Sequence, residues 1–344
     1  MKHIAIDLGG MESQVCVRDS DGAIQLERKH KTRDLDLFLG GREKSRVIVE
    51  TSAEAFKVAD AALAAGHEVR VVPATLVKSL GVGSRKTKTD VRDAQILSEV
   101  SCRIDLPSVH IPSQLSRERR SLCTLRESLV SARTQLVNSV RGYLRTQLIR
   151  IPTGRTETFP DRIRKLLEPR PEGLPTMVDR LLASIATLNQ QIVLADRELE
   201  SIAEADPTCR RLMTVPGVGP VTAVRFVAAV DRIDRFQNAH KVEAYLGLTP
   251  GEDSSSTRER RTGITKAGPP RLRWTLTQAA WCLWRTRPQD PNVLWAQNIE
   301  RKRGPSIAIV ALTRKLAGIL FAMWRDDSNY NPSHRAPPEA AVKP

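Results

Sequence analysis

At 344 residues the chain is long enough for two or three domains that each bury a core, and its 40% hydrophobic content is ordinary for a soluble protein. Lysine and arginine outnumber aspartate and glutamate 54 to 39, a formal charge of +15 that favours nucleic acid as the partner. Five scattered cysteines without C-x-x-C spacing speak against a disulfide framework or zinc site, and the longest apolar segment, 307–324, is too short and too charged for a membrane span. With a strand pattern starting at once and no room for a signal peptide, a cytoplasmic, nucleoid-associated setting without membrane contact is expected.

In chain order, residues 4–8 and 14–18 predict strands, and Asp19-Ser20-Asp21-Gly22 predicts a hairpin turn into a third strand near 23–28. A short helix over 33–39 leads to a strand at 46–50 and a helix over 53–65 that ends at Gly66. A strand at 68–72 stops at Pro73. A helix from about 74, the basic loop 84–89 and a helix over 90–102 with acids in its first turn follow. Three strands in hairpin order, then alternating helices and strands, predict a ribonuclease-H-like α/β domain over 1–112.

Beyond Leu115 the period changes. Leu122, Leu125, Leu129, Ala132 and Leu136 step by three and four, as do Val178, Leu181, Ile185, Leu188, Ile192, Ala195, Leu199 and Ile202. These seams predict an antiparallel coiled-coil spacer, or an oligomer interface, over 113–205 with a proline-rich break at 151–175. A mostly helical domain over 206–326 and a disordered tail over 327–344 complete an α/β plus α organisation.

Asp7 ends the apolar run Ile4-Ala5-Ile6, Glu50 ends Val47-Ile48-Val49, and Asp90 and Asp93 stand in Lys-Thr-Asp-Val-Arg-Asp-Ala. An acid at the end of a buried strand is costly unless paired, protonated or bound to a cation. Asp90 and Asp93, spaced i, i+3, share a helix face. Four acids at close range repel one another unless a cation intervenes, and all-oxygen ligands suit Mg²⁺. Two ions about 3.5–4 Å apart would stabilise the attacking and leaving oxygens of an in-line phosphoryl displacement. Singly, each acid reads as well as a helix cap or surface charge, Asp90 as an N-cap above all. Together they favour a metal cage.

Lys86 and Lys88 in the basic loop predict nucleic-acid contacts. The stretch from Leu212 to Ala223 carries a helix-hairpin-helix signature in which Gly217 and Gly219 permit the tight turn and close backbone approach. Amides at the next helix start would hold a phosphate without reading sequence. Arg258, Arg260, Arg261, Lys266, Arg271 and Arg273 form a later basic run. Trp274 and Trp281, seven apart, predict core packing rather than base stacking. No helix-turn-helix or zinc finger offers base readout.

The ordered set Ile-Asp-Leu-Gly, Val-Ile-Val-Glu-Thr, Lys-Thr-Asp-Val-Arg-Asp-Ala, Val-Pro-Gly-Val-Gly-Pro, Gly-Leu-Thr-Pro and Gly-Ile-Thr-Lys-Ala-Gly resembles the DEDD transposases of bacterial insertion sequences, over roughly residues 1–324. The resemblance implies a RuvC-like domain, a coiled coil and a C-terminal transposase domain, with Asp7, Glu50, Asp90 and Asp93 as the metal-binding tetrad. It also implies a serine nucleophile shortly after Gly-Leu-Thr-Pro. By distance from Pro250 this is Ser255, with Ser254 and Ser256 as neighbouring candidates. The family's serine is usually followed by two glycines, where this chain has Ser256 and Thr257, so the register stays open. A covalent phosphoserine intermediate and exchange without ATP are implied, with Arg258, Arg260 and Lys266 neutralising the phosphate. So are dimers or tetramers with sites shared between protomers, and a structured non-coding RNA that guides the choice of donor and target double-stranded DNA.

Three readings compete. In a RuvC-type Holliday-junction resolvase or metal-dependent nuclease the acids would activate water and Ser255 would be irrelevant. A non-catalytic DNA-binding protein would use only the helix-hairpin-helix. An actin-like sugar kinase shares Ile-Asp-Leu-Gly, but its second phosphate loop is absent here and it has no need of the positive charge.

Overall fold

A computed structural model describes residues 1–79, 90–169, 173–252 and 261–332. Its contacts fall into two units, Met1–Pro112 and Ser113–Pro344. In the first, β1 (His3–Asp7), β2 (Glu12–Arg18) and β3 (Ile24–Lys31) form an antiparallel meander. Strands β4 (Arg46–Glu50) and β5 (Glu68–Val72) extend it in parallel, giving the order β3-β2-β1-β4-β5. Helices α1 (Leu35–Gly40), α2 (Ala55–Ala64), α3 (Ala74–Ser79) and α4 (Asp90–Arg103) complete an α/β unit consistent with a ribonuclease-H-like domain.

Alternation along the strands sends side chains to two layers. Ile4, Ile6, Val15, Val17, Val47, Val49, Val69 and Val71 cluster with apolar residues of α1 and α2. Ala5, Ile48 and Val72 cluster instead with Val77 of α3 and Leu97 of α4. β3 runs three residues past its expected end because its ladder continues to Lys31 opposite Glu12. Charged side chains on an edge strand give no alternation by which to see this. Beside Asp7, the turn from β1 to β2 is held by Thr32 Oγ1, which donates to the Gly9 carbonyl at 2.6 Å. A Cβ on Gly9 would stand 2.3 Å from the Glu12 carbonyl oxygen, so only glycine fits.

In the second unit the seam helices are α5 (Gln114–Thr146) and α7 (Thr176–Ala205). They run antiparallel, because Arg119, Arg126 and Arg133 meet Asp206, Asp196 and Asn189 in reverse order at 2.6, 2.8 and 3.1 Å. The proline-rich connection contains a helix, α6 (Phe159–Leu167), with Pro160 in its first turn, where a missing N–H costs nothing. Phe159, Ile163 and Leu167 fill the space between Val137, Val140 and Leu144 and the facing Val178, Leu182 and Ile185.

The chain continues through α8 (Pro207–Leu212), α9 (Pro220–Val230), α10 (Ala239–Tyr245), a hairpin of β6 (Pro250–Glu252) and β7 (Arg261–Ile264), α11 (Pro270–Thr286), α12 (Pro291–Arg303) and α13 (Pro305–Arg325). Residues 222–230 of α9 are all buried, packed with Leu212, Leu246, Leu276, Leu316 and Leu320 among others. Among the described residues only α13 is long and apolar enough to cross a membrane, and half of that stretch is buried in this core. Arg225 of α9, itself buried, donates to Glu127 Oε2 and to the Cys123 carbonyl, both at 2.9 Å, fastening α9 to α5. Burial pushes the Cys209 thiol up to about 12, aided by the nearby Asp206 carboxylate, so it packs as a neutral group.

Candidate active site

Three of the four sequence-selected acids fall at one corner of the first unit. β1 and β4 are parallel neighbours paired through Ile6 and Val49. Asp7 and Glu50 are the next residues on each, on strands about 4.8 Å apart. Alternation puts both on the α4 face, Asp7 two residues after Ala5 and Glu50 two after Ile48.

α4 crosses that face antiparallel to β1. Its Ser101 Oγ lies 2.8 Å from His3 Nδ1, and Leu97 shares a cluster with Ala5. Four helical residues rise about 6 Å and two strand residues about 6.6 Å, so the next step of the series carries Asp93 to Asp7. Asp93 is 4% exposed. Asp90 opens α4, and its side chain lies outside the described residues.

Among the described residues, no three His, Cys, Asp or Glu side chains are arranged to hold a metal ion. Asp7, Glu50 and Asp93 therefore share a corner without closing a cage by themselves. Their donor chemistry does fit a hard divalent cation, being all oxygen. A further oxygen stands beside them: Gln14, opposite Asp7 on β2, has its Oε1 sealed from solvent with no hydrogen-bond partner. Sequence reading passed over Gln14, which in an alternating strand looks like any polar position.

Ser255, its neighbours Ser254 and Ser256, Arg258, Arg260, Lys86 and Lys88 all lie outside the described residues. The frame of the serine segment is described. Pro250 pairs with Ile264 and Glu252 with Arg261, so residues 253–260 connect the two strands of a hairpin. Its base is tied down by the Thr265 N–H to the Thr249 carbonyl at 2.9 Å and the Lys266 N–H to the Gly247 carbonyl at 3.1 Å. Lys266 is exposed and holds a φ of 55°, a conformation an L-residue adopts only when its surroundings impose it.

The turn between α8 and α9 contains Gly217 and Gly219, which do different things. Gly217 has φ 93°, and a Cβ there would lie 2.6 Å from the Ala279 carbonyl and 3.0 Å from Cys282 Cβ. Its bare backbone lets the turn lie on α11. Gly219 is exposed, caps α9, and has open space where a Cβ would go. Gly217→Ala is therefore expected to cost roughly 2–4 kcal/mol of stability. Gly219→Ala should cost under about 1 kcal/mol. Chemical denaturation checks both, and equal losses would contradict the packing role of Gly217.

The tryptophans also separate. Trp281 packs on the core and against Trp284, ring centroids 6.1 Å apart. Contrary to expectation, Trp274 is 59% exposed. It lies in the first turns of α11, beside a groove that Ser131, Thr134, Gln135 and Asn138 of α5 also line. Glu127 in the same groove meets Arg225 at 2.9 Å and Arg271 at 3.0 Å, which offsets its charge.

Comparison with known proteins bears on the same segments. Residues 4–148 match a family of transposases of the DEDD IS110 type, and residues 209–293 match the IS116/IS110/IS902 transposase family. The first match spans all four acids and the second spans the β6–β7 hairpin. The chain is 27% identical to the transposase for insertion sequence element IS1111A of Coxiella burnetii, over 96% of this chain and 91% of that one. It is 28% identical to a probable family 20 transposase of Pseudomonas aeruginosa, over 96% and 99%. The transposase for insertion sequence element IS1328 of Yersinia enterocolitica is 25% identical, over 93% and 96%.

Proposed function

We propose that the chain is an insertion-sequence transposase of the type its segments 4–148 and 209–293 match, and that it cuts and exchanges DNA strands by metal-assisted attack of a serine, under the guidance of a structured RNA. The support for this reading is that Asp7 and Glu50 end adjacent parallel strands on the face crossed by α4, whose antiparallel run from Ser101 at His3 through Leu97 at Ala5 leads on to Asp93. Asp7, Glu50, Asp90 and Asp93 would hold Mg²⁺, two ions per site, whose charge would lower the cost of ionising a hydroxyl and crowding negative oxygens around phosphorus.

Ser255 is the nucleophile in this reading. A bond from its oxygen to phosphorus forms as the phosphorus–deoxyribose oxygen bond breaks, and the freed deoxyribose oxygen takes up a proton. One phosphate ester replaces another, so the second exchange needs no ATP. Arg258, Arg260 and Lys266 would neutralise the phosphate. Lys86, Lys88 and the amides around Gly217 and Gly219 would hold backbone phosphates elsewhere. The exposed face of Trp274 offers a platform for an unpaired base. The partners are donor and target double-stranded DNA, a non-coding RNA encoded by the element, and further copies of the chain in a dimer or tetramer, at the nucleoid.

Support for RNA guidance is indirect: a charge of +15 without a base-reading motif. Charge makes one part cheap to test. If about six phosphates are contacted, affinity for DNA or RNA should fall about 10³-fold between roughly 50 and 200 mM salt. A flat response in a binding titration would remove the nucleic-acid reading. The mechanism is tested by incubating the full chain with element-end DNA, target DNA, flanking RNA and Mg²⁺. Protein-linked DNA and strand-exchange products are expected, with the target changing when the RNA loops are changed. Cut ends free of protein would leave the resolvase or nuclease reading instead.

A further inference from the structure

We infer that Gln14 belongs to the acid site, as a neutral oxygen donor to its cation or to that cation's water; this rests on the reading of Asp7, Glu50, Asp90 and Asp93 as the metal-binding set. Gln14 is 4% exposed, and its Oε1 is sealed from solvent without a hydrogen-bond partner. Folded proteins satisfy nearly all such oxygens, because an unmet buried acceptor is costly and an apolar side chain of similar shape is not. The unmet oxygen is thus a cost to the fold as it stands.

The sheet shows where it sits. Gln14 is the direct partner of Asp7 on the antiparallel β1–β2 ladder, and cross-strand partners point to one face with Cβ atoms about 4.5–5.5 Å apart. That face is the α4 side, since Cys16 and Arg18, two and four residues on, both reach Ser98 Oγ of α4, at 3.3 and 2.9 Å. One turn earlier, the same offset brings Ala94 over Gln14. Ala94 is fully buried and its methyl group has nothing to donate.

Ser98 is engaged by Cys16, Arg18 and the Gln95 carbonyl, while Ser13 and Thr32 bond each other on the opposite face. With these neighbours engaged elsewhere, Oε1 is left for a group entering beside Asp7 and Glu50, on the face that α4 crosses. A carbonyl oxygen suits that place physically. It adds a ligand for a hard cation without adding to the repulsion among carboxylates.

Mn²⁺ titration of the full chain, followed by the resonance of the free ion, tests this together with melting of the metal-free protein. Gln14→Leu should weaken Mn²⁺ binding by about 10-fold or more, and its metal-free melting temperature should be unchanged or higher. Gln14→Glu, which keeps an oxygen there, should bind Mn²⁺ at least as tightly as the natural chain. An amide that merely braces the fold would give a lower melting temperature with Mn²⁺ binding intact, which would overturn the inference. Loss of binding in Gln14→Glu would do so too, since the amide would then be acting through its N–H group. Asp7→Asn separates the two layers. If Asp7→Asn abolishes Mn²⁺ binding while Gln14→Leu retains it, only Gln14 falls. If the natural chain binds no better than Asp7→Asn, the acid site falls with it.

Discussion

Asp93→Asn is expected to slow strand cleavage by about 10³-fold or more while the protein keeps its fold and its affinity for DNA and RNA. The substitution exchanges an oxygen for an amide nitrogen at nearly constant shape, so packing around this 4%-exposed side chain is preserved. What is lost is charge. The near-isosteric change keeps the side chain's hydrogen-bonding capacity, so any effect on metal-free stability should be small beside the effect on cleavage. Melting temperature should change little as activity collapses, a pairing that damage to the fold cannot produce. Single-turnover cleavage, filter binding and thermal melting of one preparation give all three readouts. Cleavage within tenfold of the natural chain would remove Asp93 from the chemistry.

The elements that carry the four acids were legible in the sequence because each has a local pattern of its own. Apolar runs marked β1 and β4, and Asp-x-x-Asp at a helix start marked α4. The shared face was not legible, since it depends on strand order and on α4 running antiparallel to β1, both set by distant packing. Gln14 is invisible for the same reason: only its ladder partner distinguishes it from a solvent-facing glutamine.

Elsewhere, local signals gave way to tertiary context. Five prolines masked α6, whose apolar residues find their partners only in the α5–α7 hairpin. A seven-residue spacing suggested that Trp274 and Trp281 both pack in the core, yet in the first turns of α11 Leu272 and Leu276 take the core face and leave Trp274 outside. Gly217 carried a nucleic-acid signature and turned out to be required against the backbone of α11. The serine segment rests on resemblance, with only the strands on either side of it described.

Ser255→Ala is therefore the substitution with most to decide. It should eliminate protein-linked DNA and lower strand exchange by at least about 10⁴-fold, as removal of a covalent nucleophile does elsewhere. Ser254→Ala and Ser256→Ala should retain the adduct, and loss in one of them instead would shift the register by a residue. A serine hydroxyl is a poor nucleophile unless its proton is drawn off. The nearest histidine in sequence is already engaged: His240 Nδ1 lies 3.1 Å from Glu243 Oε2, which also accepts from Arg314 Nε at 2.5 Å. In the serine reading activation would fall to the acid site, which ties the two large predictions together. If Ser255 and Asp93 act on one phosphate in one step, combining Ser255→Ala with Asp93→Asn should slow cleavage no further than the worse single change. Independent contributions would multiply, to about 10⁷-fold on the two figures above. A nuclease that uses water would show a third pattern, with Ser255→Ala cutting at the natural rate and Asp93→Asn alone inactive.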